Sequence, residues 1–508
     1  MTQSPAPTPP PTHASELACT RDLSQVHLAR FTFWLPWLFV LLIIVGAVLL
    51  LTPYATPHIF DTALGEYIPV GEPITPSEAF FTATSAACVT GLTVRDTARD
   101  FTPFGQVVIA SLFQLGALCV ITFGSLLVMR INSALSPLGY TNASSSTTPP
   151  PKHSLLRLVC LIVLVTLAFE LLGAALLYPL WQDPADGTLS LSTRAGMSLF
   201  HAASAFCNAG FDITGHSLTG YRYAMLTHAV ILPLIVVGGL GFPVLEDIFR
   251  VVRARLFTRY RDPSNQWAGR LSWYTKLVLG TSACLYLWGV VTIGAGQMMP
   301  YIHESMEHGV TAHAQAPDPL SFSTVGGVLA DTSFMSVTSR TAGFNAMPID
   351  ELQPAGRFSV VTLMFVGGSL GSSAGGLTTL VFALLMVSVV ATLRQRAYTL
   401  ALGQPIRWSL IRQILALAVC FILLVTASTL LLCLMEPFTF QALLFEAVSA
   451  STGTGLSLGI TPDLTEFGRK VVAGTMFLGR VGPLVLLGWV MQDGFADSSI
   501  KVMSGIRD

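Results

Sequence analysis

Long apolar stretches and short half-polar ones alternate along this chain in a fixed order. Eight stretches are apolar and long enough to cross a bilayer: about 33–52, 105–129, 155–180, 224–248, 272–299, 358–392, 408–435 and 469–491. At about 1.5 Å per helical residue, some twenty residues span a hydrocarbon core of roughly 30 Å. Between the first and second, third and fourth, fifth and sixth, and seventh and eighth lies a shorter segment, about 77–89, 194–207, 330–340 and 440–452. Each is helix-like in content, too short to cross, and ends in a glycine turn. This order predicts re-entrant half-helices that dip into the membrane and return as extended chain. Such chain is tolerable at depth only where it lines protein or water. Four amphipathic surface helices are the plainer alternative, and they leave the repeated glycine unexplained.

The turns are CVTGL (Cys88–Leu92), CNAGF (Cys207–Phe211), RTAGF (Arg340–Phe344) and TGTGL (Thr452–Leu456), centred on Gly91, Gly210, Gly343 and Gly455. They recur at intervals of 119, 133 and 112 residues (210−91, 343−210, 455−343). Such repetition predicts one supersecondary unit used four times. The expected fold is an all-α membrane protein of eight transmembrane helices, with four pseudo-symmetric helix–re-entrant half-helix–helix units around one central pore. The units run 33–130, 155–255, 272–396 and 397–493, with cytoplasmic segments 131–154 and 256–271 between them and tails 1–32 and 494–508 at the ends. The first tail, with a proline run at Pro9–Pro11, is expected to be disordered. It lacks the basic start and short apolar core of a cleavable signal, so Phe33–Leu51 is read as a retained helix.

Composition agrees with the membrane reading. Only 11% of the 508 residues are charged and 52% are hydrophobic; a soluble chain carries about 25% charged residues. The net charge of −1 gives no basic field for nucleic acid, which is excluded as a partner. Arg250, Arg253, Arg255 and Arg259 follow the fourth span, and Arg394, Arg396, Arg407 and Arg412 the sixth. The connection holding the first half-helix is acidic instead, with Asp61, Glu66, Glu72, Glu78, Asp96 and Asp100 against Arg95 and Arg99. The positive-inside rule then puts both termini in the cytoplasm and lets the half-helices enter from outside. An acidic approach also concentrates cations modestly. Thr141–His153 reads as a cytoplasmic Ser/Thr/Pro linker. The cysteines form no CxxC or Cys/His spacing and are expected to be buried, reduced thiols.

A re-entrant helix aims its C-terminal end, about half a negative elementary charge, at the middle of the membrane. Four such ends on one cavity stabilise a dehydrated cation. The chain must then rise with its carbonyls inward, and glycine permits backbone angles that a β-carbon forbids. The candidate ion-binding residues are Val89, Thr90 and Gly91; Asn208, Ala209 and Gly210; Thr341, Ala342 and Gly343; and Gly453, Thr454 and Gly455. Their carbonyls would replace the water shell of the ion. No ring of carboxylates, as a divalent cation would need, lies at the turns, so a monovalent cation is the expected substrate. Arg340 is read as a brace outside the ion path, Glu170 as a helix-packing residue, and Gln114, Glu246 and Asp247 as structural or membrane-edge groups. Neither Gly238–Phe242 nor the glycine-rich stretch Gly367–Gly376 follows a strand or reproduces a nucleotide-binding spacing. The second interrupts the sixth span and reads as a broken helix able to block a pore. Arg480, near the middle of the last span, would cost roughly 2.5–3.5 kcal/mol against lipid. It should face the pore or a partner, an ion pair with Glu170 being the alternative.

Four blocks carry a resemblance: FHAASAFCNAGFDI (Phe200–Ile213), MSVTSRTAGFNAMPIDEL (Met335–Leu352), FVGGSLGSSAGGLTT (Phe365–Thr379) and MFLGRVGPLVLLGW (Met476–Trp489). They resemble the signature blocks of the Trk/Ktr/HKT potassium transporter superfamily, the bacterial Ktr-type ion-translocating subunit above all, and the likeness covers about 33–493. The resemblance implies that the four turns form one selectivity filter. Glycine in all four goes with potassium, whereas serine in the first goes with sodium in some plant relatives. It further implies an intramembrane gating loop, here Gly367, Gly368, Gly371, Gly375 and Gly376, with Arg480 beneath the filter as an electrostatic barrier. An inner-membrane homodimer and a cytoplasmic ring of nucleotide-binding regulatory subunits are also implied, with no organic cofactor in this chain. The chain departs from the family at Ser451–Thr454, where the family reads Phe-Gly-Thr-Val, and at Leu370 and Thr378, where it has proline and lysine. The expected function is channel-like potassium uptake, with sodium as a candidate second ion. A sodium-conducting member of the same fold and a secondary transporter of another solute stay open as alternatives. No HExxH or GxSxG motif supports an enzyme.

Overall fold

Local start signals set where the short helices begin. In a computed structural model describing residues 13–61, 66–69, 73–135, 154–181, 189–257, 270–308, 322–396, 399–406 and 408–503, α1 (His13–Leu50) is followed by α2 (Pro76–Ala87). Thr75 caps α2 in a reciprocal box: its Oγ1 accepts from Glu78 N–H at 3.3 Å, while its own N–H donates to Glu78 Oε2 at 2.9 Å. Next come α3 (Pro103–Leu135), α4 (Ser154–Leu177) and α5 (Leu191–Cys207), the last capped by Ser190. A π-type turn at Thr227–Ile231 leads into α6 (Leu232–Leu240) and α7 (Phe242–Phe257). The third quarter holds α8 (Trp273–His308), α9 (Phe322–Thr338), α10 (Pro354–Phe365) and α11 (Thr379–Leu393). The last holds α12 (Trp408–Met435), α13 (Phe440–Thr452) and α14 (Glu466–Met503). Strands occur as two antiparallel hairpins, His58–Asp61 with Glu66–Pro69 and Leu400–Ala401 with Gln404–Pro405.

Among the described residues six helices are apolar and long enough to cross a membrane, over Thr32–Leu50, Pro103–Met129, Leu155–Leu177, Trp273–Met299, Trp408–Met435 and Glu466–Trp489. A further apolar pair, Thr227–Leu240 and Phe242–Leu256, is bent by 101° at Gly241. The sixth span, read as interrupted at Gly367–Gly376, is two helices, α10 and α11, parted by residues 366–378. The half-helices sit where expected, although α9 begins earlier, at Phe322.

The ends differ from expectation. α1 starts at His13, inside the tail expected to be disordered, and α14 continues to Met503, through most of the expected C-terminal tail. The physical reason at the N-terminus is that the prolines stop at Pro11, after which Glu16, Leu17, Ala18, Leu23 and Ala29 favour a helix. Residues 1–12, most of the 131–154 linker and 258–269 lie outside the described residues.

Each half-helix packs on the long helix before it: α2 on α1, α5 on α4, α9 on α8 and α13 on α12. It also touches the helix after it: α3, α6, α10 and α14 respectively. The contacts between quarters are cyclic. α3 meets α5, α6 meets α9, α10 meets α13, and α14 returns to α2. The outer faces are apolar and exposed, as at Trp34, Leu41 and Val48 on α1, Leu164 and Leu171 on α4, and Leu423 and Leu430 on α12. Faces of that extent belong against lipid. Cys160, Cys284, Cys420 and Cys433 are exposed on such helices, contrary to the expectation that the cysteines are buried. Within a bilayer a thiol, a small apolar group, has no need of the protein core. Cys88 and Cys207, by contrast, are buried.

Candidate functional site

The four turns meet. A β-carbon on Gly91 would collide with Ala209 O, one on Gly210 would lie 2.9 Å from Ala342 O, one on Gly343 2.5 Å from Thr454 O, and one on Gly455 would collide with Thr90 O. Each glycine therefore faces the carbonyl that precedes the glycine of the next turn, and the fourth returns to the first. Their φ angles are +90°, +70°, +81° and +86°, a region L side chains rarely enter. Two residues earlier, each turn again has positive φ: +55° at Val89, +52° at Asn208, +89° at Thr341 and +66° at Gly453. Gly453 thus takes without strain an angle that Val89, Asn208 and Thr341 take as L residues. Val89, Thr90, Asn208, Ala209, Thr341, Ala342 and Thr454 are all buried.

Backbone bonds close the turns almost identically. Thr90 N–H donates to Ser85 O at 2.8 Å, Ala209 N–H to Ser204 O at 2.8 Å and Thr454 N–H to Ser449 O at 3.0 Å, each reaching five residues back. In the third turn Ala342 N–H reaches only four back, to Thr338 O at 2.9 Å. Sequence reasoning missed a second set of glycines that make these turns fit. Gly116 packs on Ala87 O, Gly238 on Phe206 O and Gly479 on Ser451 O, all too closely for any β-carbon. Gly367 takes the corresponding place in the third quarter, against Gly375 O and the Thr341 methyl group. They follow the turn glycines by 25, 28, 24 and 24 residues (116−91, 238−210, 367−343, 479−455). That regular spacing was the available signal.

The chain between α10 and α11 folds back against this site. Gly367 N–H donates to Leu377 O at 3.0 Å and Thr379 N–H to Gly368 O at 2.9 Å, which ties the two ends of the loop together. The Asn208 amide, oriented to accept from Gly239 N–H at 3.2 Å, also accepts from Ser373 Oγ at 2.9 Å. Gly375 lies against Thr452 O, at the end of α13. The far side of the loop is stitched to the 101° bend. Ser369 N–H donates to Gly239 O at 3.0 Å, and Phe242 N–H to Gly371 O at 3.0 Å. Gly371 has φ +85° and also packs against Gly124 of α3. Tyr274, buried at the start of α8, donates its phenol to Leu370 O at 2.7 Å. Thr378 caps α11. Thr378 and Leu370 therefore serve here as a cap and an anchored carbonyl.

Arg480 is buried and donates from Nη2 to Ser373 O. Its Nε and Nη1 have no partner among the described residues. It does not pair with Glu170, which accepts from Gln114 Nε2 at 2.8 Å and lies 3.6 Å from Cys207 Sγ. Arg340 donates to Gly367 O at 2.9 Å and Thr379 Oγ1 at 2.8 Å, which braces the loop rather than the turns. In the first turn of α2, Glu78 is paired with Arg95 at 3.0 Å and Arg469 at 3.4 Å. Burial would raise its carboxyl, but the Thr75 N–H and the Arg95 guanidinium outweigh that and hold it below the usual range. Glu78 is therefore not a free charge of an acidic approach. Among the described residues no group of His, Cys, Asp and Glu could hold a metal ion.

Comparisons with known proteins show the family. The profile of the TrkH family, described as a cation transport protein, matches residues 35–493. Ktr system potassium uptake protein B of Bacillus subtilis is 32% identical over 449 residues, 88% of this chain and 90% of that protein. The potassium/sodium uptake protein NtpJ of Enterococcus hirae is 29% identical over 429 residues, 84% of this chain and 87% of that protein. The crystal structure of the potassium transporter TrkH from Vibrio parahaemolyticus superposes with a TM-score of 0.59 at 15% identity, covering 82% of this chain and 78% of that one. At that identity the superposition speaks to fold alone. The chain belongs to the TrkH family of cation transport proteins, within the Trk/Ktr group.

Proposed function

We propose that this chain takes up potassium across the inner membrane through one pore, in which four pseudo-equivalent units of eight membrane crossings present backbone carbonyls to a dehydrated ion. The observation that carries the reading is the cyclic order of contacts, in which each turn glycine faces the next turn's carbonyl at Ala209, Ala342, Thr454 and Thr90. Three residues from each turn then act as the filter: Val89–Gly91, Asn208–Gly210, Thr341–Gly343 and Gly453–Gly455. The glycine-rich loop at Gly367, Gly368, Gly371, Gly375 and Gly376 is the gate, and Arg480 stands in the ion's way while the loop is down. Potassium is favoured by glycine in all four turns and by the names of the relatives. The name of the Enterococcus protein keeps sodium in view as a second conducted or activating ion.

Inward flux follows the membrane potential, since 100 mV contributes about 2.3 kcal/mol per charge, roughly fifty-fold accumulation. Both termini and the basic face of α7, with Arg250, Arg253 and Arg255, then lie in the cytoplasm. That face is where a nucleotide-binding regulatory ring would dock, and the apolar outer helices leave room for a homodimer. The test is uptake of rubidium against sodium in cells lacking other potassium systems, with and without a regulatory subunit. Rubidium uptake and growth rescue support the reading. Sodium-only flux overturns the choice of ion, and solute transport without ion current overturns the pore.

A further inference from the structure

In three of the four turns a hydroxyl on the half-helix bonds the turn glycine or the residue after it. Ser85 Oγ accepts from Gly91 N–H at 3.1 Å, Ser204 Oγ donates to Phe211 O at 2.7 Å, and Thr338 Oγ1 donates to Phe344 O at 2.7 Å. The fourth counterpart, Ser449, precedes Gly455 by the same six residues that separate Ser85 from Gly91 and Ser204 from Gly210 (455−449, 91−85, 210−204). Its Oγ has no partner among the described residues. This turn carries Gly453 where the others have a side chain, and its own hydroxyl bond, Thr452 Oγ1 to Thr454 Oγ1 at 2.7 Å, stops short of Gly455 and the chain that rises from it.

What grips the chain rising from this turn is Glu446. It is fully buried one turn earlier on α13, and both carboxylate oxygens are used. Oε2 accepts from Ser457 Oγ at 2.8 Å and Oε1 from Thr461 Oγ1 at 2.5 Å. The two hydroxyls are themselves 2.9 Å apart, and Ser457 Oγ also accepts from Gly459 N–H at 3.0 Å. The three matching positions, nine residues before each turn glycine, are Thr82, His201 and Phe334, none of them a carboxylate. A buried carboxyl bonded to two hydroxyls holds the chain beyond the turn at two points, with directional bonds. They fix how far the Thr454 and Gly455 carbonyls can turn.

We propose that Glu446 is a positioning residue that determines specificity, substituting for the missing hydroxyl staple by holding the fourth turn in register through Ser457 and Thr461. The proposal rests on the reading of the turns as the ion filter. It predicts that discrimination among alkali ions depends on this outer brace in the fourth unit and not on its counterparts Thr82 and Phe334.

The test measures rubidium-to-sodium uptake ratios, normalised to transporter in the membrane, for Glu446→Gln, Ser457→Ala, Thr461→Val and Thr461→Ser. Removing one hydroxyl from the buried carboxyl should lower the ratio about tenfold, and Thr461→Ser should restore most of what Thr461→Val loses. A merely structural role would lower the amount of protein or the total flux and leave the ratio unchanged, which overturns the proposal. Should Glu446→Gln fail to accumulate, Ser457→Ala and Thr461→Val keep the carboxylate in place and carry the same decision. Gly343→Ala in parallel separates the two claims. If it lowers the ratio while the Glu446 network does not, only the brace is wrong; if neither does, the filter reading fails as well.

Discussion

Replacing Gly343 by alanine puts one methyl group where the turns are closest. The new β-carbon would stand 2.5 Å from Thr454 O and 3.0 Å from the Gly210 Cα, with a backbone φ of +81°. The positive φ alone costs an L-residue roughly 1–2 kcal/mol. The carbonyl contact adds to this, because both neighbours are backbone atoms and neither is a flexible side-chain end that could swing away. Backbone must move, and the atom nearest the clash is an oxygen proposed to hold the ion. If the strain is relieved by releasing that oxygen, a loss of one or two kcal/mol corresponds to a five- to thirty-fold change in preference. The assay is rubidium and sodium flux in membranes containing matched amounts of protein. Gly474→Ala is the internal control, since nothing lies within 4 Å of its position on α14. Alanine there should be neutral or stabilising by roughly 0.5–1 kcal/mol. An unchanged ratio in a stably inserted Gly343→Ala protein would refute the reasoning, because the methyl group could not then be displacing a coordinating oxygen.

Three other outcomes are expected. Arg480→Ala removes the donor to Ser373 O and the charge beside the loop, so flux in the absence of a regulatory subunit should rise several-fold; an unaltered rate returns Arg480 to packing. Tyr274→Phe deletes the phenol bond to Leu370 O, a net loss of about 0.5–1.5 kcal/mol, and should shift the loop toward release two- to ten-fold in single-channel or flux recordings. Gly479→Ala forces a methyl group onto Ser451 O and should deplete folded protein from the membrane rather than change selectivity, as thermal unfolding in detergent would report.

The turns were legible because only glycine, at Gly91, Gly210, Gly343 and Gly455, satisfies both a positive φ and the approach of a neighbouring backbone. The half-helices were legible because each is a short half-polar run between two long apolar ones and ends in a glycine turn. Other features exist only in three dimensions. Gly241 and Gly371 lie far apart in sequence, and nothing in GGLGF says that its bend receives the loop. Likewise, Ser449 reads as the equal of Ser85 and Ser204; its lost partner, and the carboxylate that replaces it, emerge only once Ser457 and Thr461 are folded back. The alternative of an Arg480–Glu170 pair failed for a similar reason. Each is a buried polar group needing a partner, and sequence supplied no way to see that Gln114 and Ser373 were nearer. Hydrophobicity placed Cys160 and Cys420 in helices without saying which side faces lipid.

The central claim is that carbonyls of the four turns jointly replace the hydration of one alkali cation. Anomalous diffraction from the protein loaded with rubidium or thallium addresses it most directly. A peak enclosed by the turn carbonyls, including those of Thr90, Ala209, Ala342 and Thr454, and weakened in Gly343→Ala, is the predicted result. A protein that conducts these ions while its anomalous peaks lie away from all four turns would contradict it.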